Sequence, residues 1–278
     1  MPICRYGFIA STGRTATMFI ATTLNSLPNV LGLHEGHRPD TCRAPALPLI
    51  NLQNRKSWLD PAYAESVVTS LRSEKTLKET AGSARVLIDV AYYNSPLLTA
   101  LNNKHPNSAC ISVFRRCEDF VRSATIVRGE DKQPAGWPDR LKPLTDRERF
   151  ISLGRLKPAP EDPFNTQWEH WTAIQRNIWL WHRINTHLYS LTTHIPILRH
   201  LYFEDLENDK EKFWTDALSA LNICDADNLE QCVRLSTKKI NHRSNYQIGP
   251  TASWQKSEIA FYREFAAPLE KIIYARRP

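Results

Sequence analysis

The first thirty-odd residues constrain the chain most, because they read as a strand, a turn of small residues and a helix in immediate succession. Residues 6–10 are of strand length, residues 11–17 (STGRTAT) form the turn, and an amphipathic pattern runs to about Leu27, ahead of Pro28. Such a turn aims backbone N–H groups and hydroxyls at one point, at the positive end of the helix dipole. Arg14 adds a planar fork suited to a phosphate or sulfate. The stretch therefore predicts an anion cradle.

We expect the anion of this cradle to belong to a nucleotide-like donor. The Walker A pattern GxxxxGK[ST] is absent from the sequence, so an ordinary kinase or NTPase loses its strongest support. A purely structural turn remains the competing interpretation, because Gly, Arg and Thr are common in turns.

Composition bounds the class of protein. A chain of 278 residues, 42% hydrophobic and 23% charged, can bury a full core as a single domain over residues 1–278. The net charge of +7 fits an anionic ligand, but such an excess is also common on solvated surfaces. The sequence has no basic cluster interleaved with aromatic residues, so we expect no nucleic-acid partner. Without a leader or a membrane-length apolar run, we expect a cytoplasmic protein with no membrane partner. Six scattered cysteines without CxxC spacing indicate reduced thiols.

Apolar runs of strand length alternate with helical patterns along the rest of the chain, which favours an α/β fold with a parallel sheet and helices on its faces. Further strands are predicted at 85–91, 108–114 and 196–203, and helices at 61–78, 94–104, 118–127, 168–191, 211–221 and 255–274. Residues 38–56 read as a loop. Residues 129–167, with six prolines and many charges, predict an irregular lid or substrate-side loop.

A second candidate element lies where the predicted strand 108–114 runs directly into Arg115, with Ser123 on the following helix. Ligands collect at the C-terminal ends of parallel strands, so this pair can grip a second phosphate. In isolation, a solvated arginine and an unrelated helical serine would be the favoured interpretation. The pair matters because it follows the cradle by one or two strand–helix units.

At these elements the sequence resembles the sulfotransferases that use 3′-phosphoadenosine 5′-phosphosulfate (PAPS). Their phosphosulfate loop, roughly [RK]-S-G-T-T after a strand, corresponds to residues 14–18 (RTATM). Their R-[ND]-P-x-D-x-x-x-S element corresponds to residues 115–123, with the Arg-to-Ser spacing kept, and their Y-E-D-L element to residues 203–206 (FEDL). Trp254 looks like the Trp of their C-terminal cofactor segment. Size and layout are also similar to cyanobacterial toxin-tailoring members, such as those of the saxitoxin pathway.

The resemblance implies a P-loop-like three-layer fold, with helices on both faces of a central parallel sheet. It implies PAPS as donor, adenosine 3′,5′-bisphosphate as product, and no metal. The phosphosulfate would lie against residues 12–18 and the 3′-phosphate against Arg115 and Ser123, with Arg243 or Lys239 as a third phosphate contact. The expected cofactor-binding residues are Thr12, Gly13, Arg14, Thr15, Ala16, Thr17, Met18, Arg115, Ser123, Phe203 and Arg243.

The sequence also departs from the family pattern. Ala16 replaces a Gly, Met18 replaces a Thr that often supplies a hydroxyl, and Phe203 replaces a Tyr. The family's E-K-T-P stretch, which supplies a Lys to the transferring group in some members, corresponds to residues 88–92 (IDVAY), without a Lys. The Gly-rich C-terminal segment of the family is poorly matched. These departures leave open a degenerate member that binds nucleotide without catalysing a reaction.

The catalytic base is expected in the cluster that follows the first helix. In relatives resembling the tyrosylprotein and some bacterial sulfotransferases a Glu at this place acts as general base, and Glu35, 21 positions after Arg14, corresponds to it. The cytosolic branch uses a His, so His34 and His37 are rivals, and a structural or substrate-binding role for Glu35 stays open. Two close histidines without further ligands are a weak signal for metal. Arg14 would stabilise charge on the leaving phosphate oxygen.

The sequence therefore predicts a PAPS-dependent sulfotransferase that transfers a sulfuryl group in line to a hydroxyl or amine of a small molecule. A small natural product is the acceptor we favour. A small-molecule P-loop kinase is the rival enzyme, and a nucleotide-binding module without catalysis is the rival non-enzyme.

Overall fold

The chain forms a five-stranded sheet in which every strand is parallel to its neighbours. The computed structural model describes residues 5–39, 46–128, 133–134, 136–138, 155–237 and 246–275. The sheet order is β2-β3-β1-β4-β7, and two short strands, β5 and β6, pair antiparallel outside it. The strands are β1 Arg5–Ser11, β2 Val30–His34, β3 Val86–Val90, β4 Ala109–Phe114, β5 Val127–Arg128, β6 Gln133–Pro134 and β7 Arg199–Tyr202.

Helices connect and cover these strands. They are α1 Thr17–Asn25, α2 Asn51–Leu59, α3 Pro61–Leu71, α4 Glu74–Ala81, α5 Leu98–Lys104, α6 Cys117–Ala124, α7 Asn165–Trp168, α8 Ala173–Ser190, α9 Phe203–Asn208, α10 Lys210–Ala220, α11 Ala226–Thr237, α12 Lys256–Phe261 and α13 Ala267–Ala275. Short 3₁₀ helices lie at Tyr92–Leu97, Leu191–Thr193 and Thr251–Ser253, and a π-helical stretch, Tyr262–Ala266, joins α12 to α13.

The sheet separates two hydrophobic clusters, which makes the architecture three-layered. Successive residues of β1 point to opposite faces, so Phe8 and Ala10 lie in one cluster and Ile9 in the other. Helices α3, α5, α6, α8 and α13 contribute to the first cluster, and α1, α10 and α11 to the second. The predicted α/β fold with a central parallel sheet and helices on both faces is confirmed.

The register of the sheet brings the ends of its strands to one edge. Strand β1 lies at the centre, with Ile9 opposite Val90 of β3 and Ser11 opposite Val113 of β4. In β2, His34 is also in register with Val90. Because all five strands run the same way, the segments that follow them share the C-terminal edge, where α/β sheets bind ligands.

Several predicted segments differ from the observed ones, beginning with residues 38–78. The loop predicted at 38–56 gives way to α2 at its C-terminal part. The sequence of α2 (NLQNRKSWL) lacks an apolar stripe, and its packing against α3 is tertiary information that the local pattern does not carry. The helix predicted at 61–78 is divided into α3 and α4, because the Ser73 hydroxyl accepts from the N–H of Thr76 and starts a new helix.

The predicted helix 168–191 begins later than expected. Thr172 and Gln175 form a reciprocal capping box, in which each side chain bonds the other residue's backbone N–H, and this fixes the start of α8 at Ala173. The preceding tryptophan, Trp168, ends the separate short helix α7.

Part of the predicted lid, residues 129–167, is built into the first cluster. Trp137 is buried, its indole N–H donates to the carbonyl of Leu156 at 3.0 Å, and its backbone N–H donates to the Asn177 side chain at 2.8 Å. Residues 129–132, 135 and 139–154 lie outside the described residues, so a lid function stays a prediction.

Two expectations from composition concern thiols and membranes. In the described part of the chain, Cys110, Cys117, Cys224 and Cys232 are free thiols, and Cys4 and Cys42 lie outside it. Among the described helices, none combines the length and apolar character that a membrane crossing requires.

The close contact between β2 and α1 leads to a stability prediction. A Cβ at Gly32 would come closer than 3.0 Å to backbone atoms of Ala21 and Asn25, which cannot move without displacing the helix. We expect Gly32→Ala to lower the free energy of unfolding by about 1–3 kcal/mol in urea titrations.

Gly7→Ala is the matched control for this prediction. Its Cβ would come within 3.0 Å only of the end of the Leu221 side chain, at 2.6 Å, and would make ordinary contacts of 3.4 and 3.5 Å with the Ile88 side chain. The loss at Gly7 should therefore be smaller, and an equal or smaller loss at Gly32 would contradict the tight packing of β2 on α1.

Candidate functional site

The loop after β1 has the backbone conformation of an anion cradle. Gly13, Arg14 and Ala16 have φ angles of 74°, 58° and 57°, in the left-handed region. The N–H of Gly13 donates to the Ser11 hydroxyl at 3.0 Å, and the Thr12 hydroxyl donates to the carbonyl of Gly13 at 3.0 Å. Left-handed residues within a short loop create concave groups of N–H donors, which bind anions.

Ala16 occupies a conformation that suits glycine. Its φ of 57° is where the Cβ of an ordinary residue costs energy. The family pattern has a Gly at this position, and the backbone gives the physical reason. The alanine retains the turn at the expense of local strain.

The N-terminus of α1 is available to a ligand. Ala16 is its N-cap residue, and among the described residues no side chain caps the helix and no acidic residue lies in its first turn. The Thr15 hydroxyl is buried without a hydrogen-bond partner in the described part of the chain. Met18 keeps 54% of its surface exposed, and its N–H belongs to the first turn. Uncapped N–H groups at the positive end of a helix favour a bound anion.

Arg14 and Ser123, far apart in sequence, are in direct contact. The Nε of Arg14 donates to the Ser123 hydroxyl at 3.1 Å and to the Ser123 carbonyl at 3.2 Å. Arg115 Nη1 donates to the carbonyl of Arg14. The Arg115 guanidinium lies 4.1 Å from the centre of the Phe203 ring. The structure therefore brings these four predicted site residues together.

Arg115 is a buried cation that makes contacts through both its side chain and its backbone. The indole N–H of Trp181 donates to its backbone carbonyl at 2.8 Å. Its Nε atom is buried and has no hydrogen-bond partner within the described residues. A buried guanidinium with an unsatisfied donor beside a second arginine favours an anionic ligand.

The N-terminus of α6, in contrast, is occupied by the protein's own carboxylates. The N–H of Arg116 donates to Glu204 at 2.8 Å, and the N–H of Cys117 donates to Glu270 at 2.6 Å. The phenols of Tyr274 and Tyr262 donate to the second oxygens of Glu204 and Glu270, at 2.8 and 2.6 Å. Burial raises the pKa of Glu270, with the Tyr262 hydrogen bond opposing the rise. An anion at this helix would therefore be held by the side chains of Arg115 and Ser123.

Glu35 and His34 lie beside the cradle. The Thr17 hydroxyl is 3.1 Å from His34 Nε2, and that nitrogen is 3.8 Å from a carboxylate oxygen of Glu35. Burial and the neighbouring charge of Asp89 raise the pKa of Glu35 to about 7, although Arg14 acts to lower it. Burial and His37 lower the pKa of His34 to about 4. Near neutral pH, His34 is therefore neutral and Glu35 is poised to accept a proton.

His37 is connected to this cluster through its backbone. Its carbonyl accepts from the N–H of His34 at 2.8 Å, and its N–H donates back at 2.9 Å. Its Nδ1 is buried without a hydrogen-bond partner in the described regions. No group of three or more His, Cys, Asp and Glu side chains arranged for a metal ion occurs among those residues.

Two residues that the sequence did not single out are also connected to this site: Tyr92, which is influenced by the charge of Glu35, and Arg155, which acts on Tyr92. The Cβ of Tyr92 is 3.5 Å from where a Cβ of Gly13 would lie, so its base packs against the cradle. Burial and the charge of Glu35 raise the pKa of the Tyr92 phenol, and Arg155 acts to lower it. Arg155 is buried, with its guanidinium 5.8 Å from the Trp137 ring. Arg155 lies in the predicted lid. That segment contains many charged residues and prolines, so the sequence does not distinguish Arg155 from an ordinary loop residue.

The predicted C-terminal contacts are only partly described. Arg243 and Lys239 lie outside the described residues, so their roles stay predictions. Trp254 is buried, and its indole N–H donates to the carbonyl of Gly249 at 3.0 Å. The segment before it packs on α6, because Arg122 donates to the carbonyl of Ile248 at 3.3 Å.

Comparison with known proteins gives a match in fold. No protein-family model matches the sequence, and no curated protein matches it. Among solved structures, a sulfotransferase domain from the curacin biosynthetic pathway is similar, with a TM-score of 0.51 and 13% sequence identity. The alignment covers 99% of this chain and 98% of that domain. The described part of the chain thus has the fold of that sulfotransferase domain.

Proposed function

We propose that the protein is a sulfotransferase that moves a sulfuryl group from PAPS to a hydroxyl or amine of a small molecule. The observation that carries the proposal is the contact of Arg14 with Ser123 and Arg115, next to the uncapped N-terminus of α1 and to Glu35. Two arginines joined at one sheet edge suit a donor with two separate phosphate groups. The sulfotransferase fold supports the same assignment.

In this proposal the donor spans the two anion-binding elements. The phosphosulfate lies against residues 12–18, where left-handed backbone and the α1 N-terminus provide N–H donors. The 3′-phosphate is held by the side chains of Arg115 and Ser123, because the N–H groups of Arg116 and Cys117 at the start of α6 are already bonded to Glu204 and Glu270.

The transfer needs a proton acceptor and a stabilised leaving group. Glu35 removes the proton from the acceptor hydroxyl or amine, whose oxygen or nitrogen attacks sulfur while the bond from sulfur to the bridging phosphate oxygen breaks. Arg14 and the α1 amides stabilise the negative charge that develops on that oxygen. His34 is the weaker base, since its pKa lies near 4, and it holds the Thr17 hydroxyl. No metal takes part in this scheme.

For the acceptor we propose a small natural product, sulfated in the cytoplasm. The solved domain of the same fold comes from a biosynthetic pathway, that of curacin. The scheme involves no nucleic-acid or membrane partner. A screen of candidate acceptors by mass, for the gain of one sulfuryl group, would identify the substrate.

Donor binding is testable with the proposed product of the reaction. Adenosine 3′,5′-bisphosphate should raise the melting temperature by several degrees at 100 times its Kd. Arg115→Ala should weaken that binding roughly 10- to 100-fold, because it removes charge-assisted hydrogen bonds. Thermal shift and calorimetry measure both effects.

Arg85→Ala is the matched control, because Arg85 is an exposed arginine immediately before β3, at the opposite edge of the sheet. It should leave the affinity unchanged. Stabilisation by ATP with Mg²⁺ and not by the bisphosphate would overturn the proposal in favour of a kinase, and an unaltered affinity of Arg115→Ala would remove that residue from the donor site.

The proposed role of Glu35 as the base is testable from the pH dependence of turnover. With PAPS and an identified acceptor, kcat/KM should fall as the pH drops below about 7, because protonated Glu35 cannot accept a proton. Glu35→Gln should bind the bisphosphate normally but lose turnover by roughly 100-fold or more. Steady-state rates from pH 5 to 9 measure both.

Two variants serve as comparisons in that experiment. Glu79→Gln changes an exposed glutamate of α4 and should leave the profile intact. In His34→Gln, kcat/KM should still fall as the pH drops below about 7. If His34→Gln abolishes turnover and Glu35→Gln does not, His34 is the base and the assignment of Glu35 is wrong.

A further inference from the structure

A buried carboxylate, Asp89, lies at the end of β3 directly behind the turn that carries Glu35. Its Oδ1 accepts from the N–H of Gly36 at 3.2 Å, and its Oδ2 is 3.6 Å from Arg72 Nη2. The hydroxyl of Tyr93 is 3.4 Å from both oxygens. Both charged side chains are almost completely buried. Burying an ion pair costs desolvation energy, so a gain in stability does not by itself explain why Asp89 and Arg72 are paired here.

Arg72 is itself anchored, which makes the cluster rigid. Its Nη1 donates to the carbonyls of Pro48 and Leu71, both at 3.0 Å, and its Nη2 donates to the Tyr93 hydroxyl at 3.3 Å. The segment that contains Pro48 is bonded back to the turn, because the Gly36 carbonyl accepts from the N–H groups of residues 46 and 47 at 2.7 and 2.8 Å. The cluster therefore ties α3 and residues 46–48 to the end of β3.

The turn held by this cluster has an unfavourable backbone conformation. Glu35 has a φ of 52° and Gly36 a φ of 74°. For a glutamate this region costs about 1–3 kcal/mol, and it persists only where neighbouring contacts enforce it. Those contacts come from β3, since the Glu35 N–H donates to the Val90 carbonyl at 3.1 Å and the Gly36 N–H donates to Asp89. A Cβ at Gly36 would press on Leu47 and Tyr93 at 3.2 Å.

We propose that Asp89, fixed by Arg72, is a positioning residue that holds Glu35 in its left-handed conformation and places a second negative charge beside it. This inference rests on the proposed function of Glu35 as the base. Burial raises the pKa of Asp89, and its contacts with Arg72, the Gly36 N–H and the Tyr93 hydroxyl oppose that rise because they favour the charged carboxylate.

The charge matters because other groups act on Glu35 from the elements around it. Arg14 approaches from the cradle, His34 from β2 and Tyr92 from the 3₁₀ helix, with His37 acting on His34 and Arg155 on Tyr92. Arg14 lowers the pKa of Glu35, whereas burial and the charge of Asp89 raise it. Without Asp89, the attraction of Arg14 would leave a weaker base. When donor phosphate neutralises Arg14, the influence of Asp89 is no longer opposed.

The test measures the titration of Glu35 directly. The protein is labelled with ¹³C at the glutamate side-chain carboxyls, and the NMR signal of Glu35 is identified as the one missing from Glu35→Gln. The midpoint of its titration with pH should lie near 7. In Asp89→Asn, which keeps an oxygen for the Gly36 N–H but removes the charge, the midpoint should fall by about one pH unit. The acidic limb of kcat/KM should move down with it, and bisphosphate affinity should stay unchanged.

A second variant covers the possibility that Asp89→Asn fails to fold, since it leaves Arg72 buried without its counter-charge. Asp89→Asn with Arg72→Met removes both charges and should show the same downward midpoint shift. Asp205→Asn is the matched control: it changes another buried aspartate, 3.9 Å from Lys212, and should leave the midpoint of Glu35 in place.

The outcomes separate this inference from the proposed function. If the titration midpoint of Glu35 stays near pH 7 in the single and double Asp89 variants, the inferred effect of the Asp89 charge on Glu35 is overturned, even if sulfuryl transfer is observed. A midpoint that falls in those variants and not in Asp205→Asn supports the role. If it falls while the wild type neither binds the bisphosphate nor uses PAPS, the electrostatic role of Asp89 stands and the proposed function fails.

Discussion

The hydrogen bonds from Arg14 to Ser123 connect the two halves of the candidate site. They join the loop after β1 to α6, across 109 positions of sequence. The contact is possible because β1 and β4 are adjacent and in register, with Ser11 opposite Val113. Arg115 adds a second connection through the Arg14 carbonyl. Both cationic side chains thereby share one sheet edge.

The two helix N-termini at this edge are treated in opposite ways. The amides at the start of α6 are bonded to the buried carboxylates of Glu204 and Glu270, which come from α9 and α13. The start of α1 has no side-chain cap within the described residues. Unsatisfied N–H groups at a helix start cost free energy unless something binds them, so the start of α1, unlike that of α6, still has donors to offer an anionic ligand.

Much of the fold was predictable, because strands and helices have local signatures. Apolar runs alternating with helical patterns predict the parallel sheet, and the position of Arg115 at a predicted strand end, one or two strand–helix units after the cradle, predicts that it shares a sheet edge with the cradle. Local patterns could not show that Glu204 and Glu270 cap α6, or that Asp89 is paired with Arg72. Those contacts join distant segments, and a single Asp or Glu in a strand or helix carries no sign of its partner. Arg243 and Met18 were assigned by resemblance alone, and their roles stay predictions.

Backbone strain marks the site independently of any resemblance. Among the described residues, five that are not glycine have positive φ: Arg14, Ala16, Asn29, Glu35 and Asn222. Asparagine tolerates this region, so Asn29 and Asn222 need no special explanation. Arginine, alanine and glutamate do not tolerate this region well, and Arg14, Ala16 and Glu35 all belong to the cradle or to the turn beside it. Strain of this kind is retained where the arrangement of groups matters more than local stability. In the proposed mechanism Arg14 stabilises charge and Glu35 accepts the proton, so the conformational cost falls on these two residues and on Ala16 at the start of α1.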